Sequence, residues 1–170
     1  DLDTTAEVGA DAIVVASGAI EVDAFADHDI DGNADGAALA IGAAVGAISA
    51  TGRIAGATRA IVDENAQLLA DSISVIADGD ARVSVSATPA AGGIFAGTGA
   101  LAAAEIETAV EATLAEGASL EAAEDVTLSA LSSTNGIADA NGATLLAGVG
   151  VGLTFADIEV DSTTGVSVGA

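Results

Sequence analysis

The chain lacks Cys, Met, Trp, Tyr and Lys, and its 170 residues include one Pro, one His and three Phe. Without Cys there is no thiol chemistry, no Cys-rich zinc site and no iron–sulfur cluster. Without Lys there is no Walker-type phosphate loop and no Schiff base. Any His-based triad would have to use His28. Basic charge is scarce too: three Arg stand against 26 Asp and Glu, for a formal net charge of −23. A nucleic acid or an anionic membrane surface is therefore repelled at physiological salt. No uninterrupted run of 18 apolar residues occurs, so no membrane insertion is expected. The opening Asp1-Leu2-Asp3-Thr4-Thr5 has neither a basic nor an apolar signal region.

What the chain has instead is small aliphatic residues. Ala accounts for 43 positions, and Val, Ile and Leu for 16, 13 and 12. An interior built from these is thin and without large aromatics. The length fits one domain or a short run of repeats.

Repetition is the strongest pattern. A shift of 106 residues places Ala12, Val14, Ile20, Val22 and Ala24 on Ala118, Leu120, Val126, Leu128 and Ala130, and Leu39, Val45 and Ala50 on Leu145, Val151 and Ala156, without a gap. Half of that shift also works, with Ile54, Ala57, Ala60, Glu64 and Leu68 matching Ile106, Ala109, Ala112, Glu116 and Leu120 at 52 residues. The spacing predicts one repetitive region over 1–170 with units of about 53 residues: 1–53, 54–106 and 107–159, the remaining 160–170 starting a further unit or a cap. In the middle unit the alignment takes about nine extra residues between Leu68 and Ala87 and loses ten between Ala87 and Gly99, placing loops where length varies.

Within units the period is two. Ile20-Glu21-Val22-Asp23-Ala24, Val83-Ser84-Val85-Ser86-Ala87 and Val126-Thr127-Leu128-Ser129-Ala130 alternate apolar with polar, as half-buried strands do. Residues 104–116 also fit a helical stripe, but their repeat partners carry Gly and Thr, which favours a strand. Short strands, Gly- and Asp-rich turns and tandem units predict an all-β parallel β-solenoid, a right-handed β-helix with two or three coils per unit. The alternative is a β-sandwich, whose core normally wants the aromatics missing here.

The phrase Gly117-Ala118-Ser119-Leu120-Glu121-Ala122, then Asp125-Val126-Thr127-Leu128-Ser129-Ala130, a Ser/Thr/Asn-rich stretch and Gly148-Val149-Gly150-Val151-Gly152, resembles the repeats of large bacterial filamentous adhesins of the leukotoxin/haemagglutinin-like type. The resemblance implies an extracellular, cell-surface, non-enzymatic shaft.

The sharpest local motif is Asp27-His28-Asp29-Ile30-Asp31-Gly32-Asn33-Ala34-Asp35. In a loop bent by Gly32, the carboxylates of Asp27, Asp29 and Asp31, the backbone carbonyl of Asn33, and Asp35 directly or through water would converge on Ca²⁺. The motif resembles integrin-propeller calcium loops and the first six positions of EF-hands, whose bidentate Glu is replaced here by Ala38. In the third unit Ser133, Asn135, Ile137, Asp139 and Asn141 take these places, and the alignment has the middle unit without the loop. His28 reads as an exposed loop residue. Gly97-Thr98-Gly99-Ala100-Leu101-Ala102 matches a loose GxGxxA fingerprint, which close backbone packing explains better than a nucleotide. Glu105/Glu107 and Asp78/Asp80 read as wetted acidic rows rather than glycosidase pairs. Arg53, Arg59 and Arg82 are expected to relieve local repulsion.

The expected function is a structural module of an extracellular bacterial fibre, stacking end to end and clamped by calcium. Two alternatives are a calcium-dependent carbohydrate- or receptor-binding module and a polysaccharide-active β-helix enzyme. The expected partners are further copies of the chain and a cell-surface or glycan ligand.

Overall fold

The computed structural model describes residues 2–169, which form strands and turns with no helix among them. In chain order the strands are β1 (Thr4–Val8), β2 (Ile13–Val15), β3 (Ala19–Leu39), β4 (Ala43–Val62), β5 (Gln67–Ala70), β6 (Ser72–Leu114), β7 (Ser119–Ala122), β8 (Val126–Ala140) and β9 (Ala143–Val168). Among the described residues all seven pairings are parallel. Ile20 lies opposite Ile73, and Ile73 opposite Val126; Ile54 lies opposite Ile106, and Ile106 opposite Val160. Partners stand 52 to 54 positions apart throughout. One traverse of the sheet thus consumes the whole interval, whereas two or three coils per unit would have paired residues at a half or a third of it.

The 43 residues of β6 run through two walls. Its first part, 72–92, pairs with β3 on one side, and with β8 and the start of β9 on the other. Its second part, 95–114, pairs with β4 and the rest of β9. Between Gly93 and Phe95 the register slips, and the chain turns there from the first wall into the second. At about 3.3 Å per residue each wall is roughly 65 Å long. The small sheet of β2, β5 and β7 closes one end, where Leu68 and Ala66 pack with Ile20, Val22, Ile73, Val75, Val62 and Val110.

The two walls fit by exchanging volume. Ile30, Val83 and Gly136 form one column across the first wall, and Gly52, Ala104 and Ile158 form one across the second. Where the first column carries Ile30 the second carries Gly52, and where it carries Val83 the second carries Ala104: a Cβ on Gly52 would stand 2.6 Å from Val83 Cγ1, 2.8 Å from Val85 Cγ1 and 3.3 Å from Ile30 Cγ2. At the opposite edge the roles reverse, since a Cβ on Gly136 would stand 2.8 Å from Ile158 Cγ2. The middle level is a close-packed core in which Val75, Val83, Val85, Ile106 and Val110 are buried.

One turn recurs with the same geometry. Asp11, Asn65 and Gly117 have φ of 59°, 57° and 74°, the left-handed region that Asn, Asp and Gly tolerate best. Each precedes an amide that closes the turn: Ala12, Ala66 and Ala118 donate to the carbonyls of Gly9, Asp63 and Ala115, each at 3.2 Å. The turns also stack, with Asp11 N–H donating to Glu64 C=O and Asn65 N–H to Glu116 C=O.

Two expectations from the alignment change. Ala24 lies opposite Ala77, and Ala77 opposite Ala130, so there is no nine-residue insertion after Leu68. Ala87 lies opposite Ala34 and Ala140, so no compensating deletion follows it. Val83-Ser84-Val85-Ser86-Ala87 imitates the alternation of Ile20 to Ala24, and in an Ala-rich strand a shift of an even number of residues keeps every side chain on its face.

Replacing Gly52 by Val forces a branched side chain against Val83 and Val85. Urea unfolding is expected to show a loss of about 1–3 kcal/mol, the range for overpacking a core. Gly18→Ala, where a Cβ meets nothing within 4 Å, is expected to stay within about 0.5 kcal/mol.

Candidate functional site

The acidic motif lies inside β3, in regular parallel pairing with β6, and not in a loop. Asp27 is opposite Asp80, Asp29 opposite Arg82, Asp31 opposite Ser84, Asn33 opposite Ser86 and Asp35 opposite Thr88. The middle level therefore contains this stretch, with other residues in it. Alternation along the strand puts all five predicted ligands, Asp27, Asp29, Asp31, Asn33 and Asp35, on the exposed outer face. Residues two apart on a strand are separated by about 6.6 Å, so Asp27 and Asp35 stand roughly 26 Å apart. Ligands of one Ca²⁺ must each reach to about 2.3–2.6 Å of it. The structure brings only neighbours of this row together, as where Asn33 Nδ2 donates to Asp35 Oδ2 at 3.0 Å. Among the described residues no group of three or more His, Asp or Glu side chains is gathered for one ion. What defeats the loop expectation is pairing: Gly32 and Gly36 are also good residues for an inner face that must clear Val85 and Ile48.

His28 belongs to the inner face, half-buried, beside a gap of about 10 Å³ lined also by Ala26, Thr58, Gly79, Thr108 and Val110. It is not the exposed loop residue the sequence suggests, because strand alternation turns it inward. The 97–102 stretch is mid-strand in β6 and opens no helix, so it lacks the strand-to-helix turn that a dinucleotide fingerprint needs.

Charge on the outer faces follows the same ladders. Asp27 stacks on Asp80, Glu105 on Glu159 and Glu107 on Asp161, like charge against like. Each Arg stands opposite a carboxylate on the next level: Arg53 opposite Glu105, Arg59 opposite Glu111 and Arg82 opposite Asp29. Arg53 bridges two acids, Nε to Glu105 at 3.1 Å and Nη2 to Glu107 at 2.8 Å, while Arg59 reaches Glu111 at 3.2 Å and Arg82 reaches Asp29 at 3.8 Å. The hydrogen bond to Glu107 and the charge of Glu105 raise the Arg53 pKa above its ordinary value. A groove of about 380 Å³ beside these pairs has a floor of Ala55, Ala57 and Ala109 and is flanked by Arg53, Arg59 and Asp161.

The feature that sequence reasoning missed is the outer face of the second wall. There Val45, Phe95, Leu101, Val149, Val151, Leu153 and Phe155 point to solvent. The signal was available in Gly148-Val149-Gly150-Val151-Gly152, which alternates as regularly as any strand but puts Gly on one face and Val on the other.

Compared with known proteins, the chain matches no family model, no curated protein and no solved structure.

Spread along a strand, the acids are expected to hold Ca²⁺ only diffusely. Calorimetric titration should give a heat no sharper than that of Mg²⁺ at equal ionic strength. A saturable one-to-one isotherm, lost in the Asp29→Asn/Asp31→Asn double variant, would show that these side chains converge on one ion in solution.

Proposed function

We propose that the chain is a segment of a β-solenoid shaft, a non-enzymatic element of an extracellular bacterial fibre or surface adhesin that lengthens by stacking end to end. The observation that carries this reading is the parallel ladder itself. β6 is paired along both edges, while among the described residues β3 pairs only with β6, and β8 and β9 pair only with β6. Such edges are templates for another strand. The aliphatic columns that continue into them supply an inner face for the next level: Ile73 and Ile106 are buried, while their partners at the outer edge, Val126 and Val160, are about half exposed. Stacked repeats have this property, each level burying its neighbour.

The extracellular setting is supported by the resemblance of the repeats to filamentous adhesins and by a net charge of −23, which keeps a long polymer soluble. Calcium is left out of the shaft as a clamp, because the acid row is extended. Neither the open groove at Arg53 and Arg59 nor the half-buried His28 supplies a nucleophile with a paired base, so an enzyme is not favoured.

The test is electron microscopy and sedimentation of the purified chain with a variant that blocks one edge. Asn141 N–H donates to Ala87 C=O at 3.0 Å. In a parallel ladder alternate residues bond to opposite sides, so Thr134 turns its N–H to the free edge. Thr134→Pro is expected to preserve the circular dichroism of the folded chain and to shorten or abolish thin filaments that the unaltered chain forms. Particles of uniform size that stay monodisperse as concentration rises, with or without the substitution, would contradict end-to-end stacking.

A further inference from the structure

In the part of the second wall nearest the bend, the usual distribution of side chains is inverted. The outward columns are Ala43–Phe95–Val149, Val45–Gly97–Val151, Ala47–Gly99–Leu153 and Ser49–Leu101–Phe155. The inward columns between them are Ala44–Ala96–Gly150, Gly46–Thr98–Gly152 and Ile48–Ala100–Thr154. Large apolar groups thus face solvent while Gly, Ala and Thr, with Ile48 alone among large side chains, face the interior. A sheet with one solvated face normally shows the reverse.

We infer that this face is a lateral interface that docks a second copy of the same chain, wall against wall. Three observations favour that occupant. The first is area: Val45, Phe95, Leu101, Val149, Val151, Leu153 and Phe155 are between 44% and 78% exposed. At about 200 Å² for a fully exposed Phe and about 150 Å² for Val or Leu they present roughly 700 Å² of apolar surface. That exceeds the 300–600 Å² of a typical monomer's largest patch and approaches the roughly 800 Å² per partner of a stable complex. The second is charge. No outward position of 43–49, 95–101 or 149–155 carries a charged side chain, in a chain of net charge −23, and the first outward charge beyond them is Asp157, opposite Ala103. Two copies meeting here keep their acidic faces apart, and the repulsion that remains is screened over about 8 Å at physiological salt. An anionic membrane has no such option.

The third observation is shape. Gly97 and Gly99 leave a trough in the middle level between Phe95 and Leu101, part of a groove of about 380 Å³ lined by Ala47, Ser49, Gly99, Leu101, Leu153 and Phe155. Beside it Val151 and Leu153 form a ridge on the neighbouring level. A two-fold axis lying in the face, across the strands at the Ala47–Gly99–Leu153 column, seats each copy's Leu101 over the other's Gly97 and carries its Glu105 and Glu107 past the other's bend, which is the self-complementarity an isologous contact requires. The interface needs only this wall, and it stands or falls apart from the end-to-end stacking proposed above.

The experiment is sedimentation equilibrium of the full chain in the Thr134→Pro background, where edge stacking is blocked, at low and high salt. A monomer–dimer equilibrium that tightens with salt is expected. Leu153→Asp, outward-facing and thus compatible with an unchanged circular dichroism spectrum, is expected to weaken the dimer tenfold or more. Ser49→Asp, on another level of the same face, is expected to act in the same direction. A Thr134→Pro chain that stays monomeric at every attainable concentration, or a dimer that both Asp variants leave intact, would overturn the inference. So would a monomer that co-sediments with zwitterionic phosphatidylcholine vesicles through Leu153, since the occupant would then be a lipid surface.

Discussion

The parallel hydrogen-bond ladder at an interval of about 53 residues is the constraint on which the rest depends. It decides which residues stack, which face each side chain takes and where carboxylates meet arginines. Parallel pairing also fixes what each level can contain. A column survives if every member fits the same slot, and Ala, Val, Ile and Gly are nearly interchangeable there when the facing wall compensates, as Ile30 and Gly52 do at one edge and Gly136 and Ile158 at the other. Each buried Val or Ile contributes about 1.5–3 kcal/mol relative to exposure, so the central level supplies most of the apolar stabilisation. On the level of β3 and β4, Ile20, Val22 and Ile54 are still buried, whereas β8 and β9 hold the same residue types partly buried to exposed.

Charge is subordinate to the ladder. With 26 acids and three Arg, most carboxylates have no cation to pair with. The acids are tolerated because they stand on outer faces in water, where like-charge neighbours are screened. The first wall changes along the stack, from Asp27, Asp29, Asp31 and Asp35 to Asp80 with Arg82, and then to Ser133 and Asn135. An exposed acid row of this kind raises solubility and repels anions, but it selects no particular ligand.

Much of this architecture was legible in the residues. The 106-residue correspondence of Ile20, Val22 and Ala24 with Val126, Leu128 and Ala130 is reproduced through the middle level by Ile73, Val75 and Ala77. The pairing of Ile54, Ala57 and Ala60 with Ile106, Ala109 and Ala112 holds residue by residue. Residues 104–114 form a strand with Ile106, Val110 and Ala112 inward. What was not legible has a common cause. In a chain this rich in Ala, a shift by an even number of residues costs the pattern almost nothing, so the sequence alone aligns Ala87 with Ala24 as readily as with Ala34. A D-x-D-x-D-G spacing likewise describes a bent cation loop and the outer face of a straight strand equally well, and only the partner strand distinguishes them. The apolar outer face near the bend escaped notice because alternation reports that two faces differ, without reporting which of them is inside.

Because the chain contains no Cys, paired Cys substitutions test that ladder directly. Ser74 and Thr127 are outward-facing register partners on adjacent strands, a separation that a disulfide spans. The account predicts that Ser74→Cys/Thr127→Cys oxidises readily within one chain at high dilution, and that Ser84→Cys/Thr127→Cys does not. Efficient oxidation of the second pair in preference to the first would place the strands in another register and contradict the account.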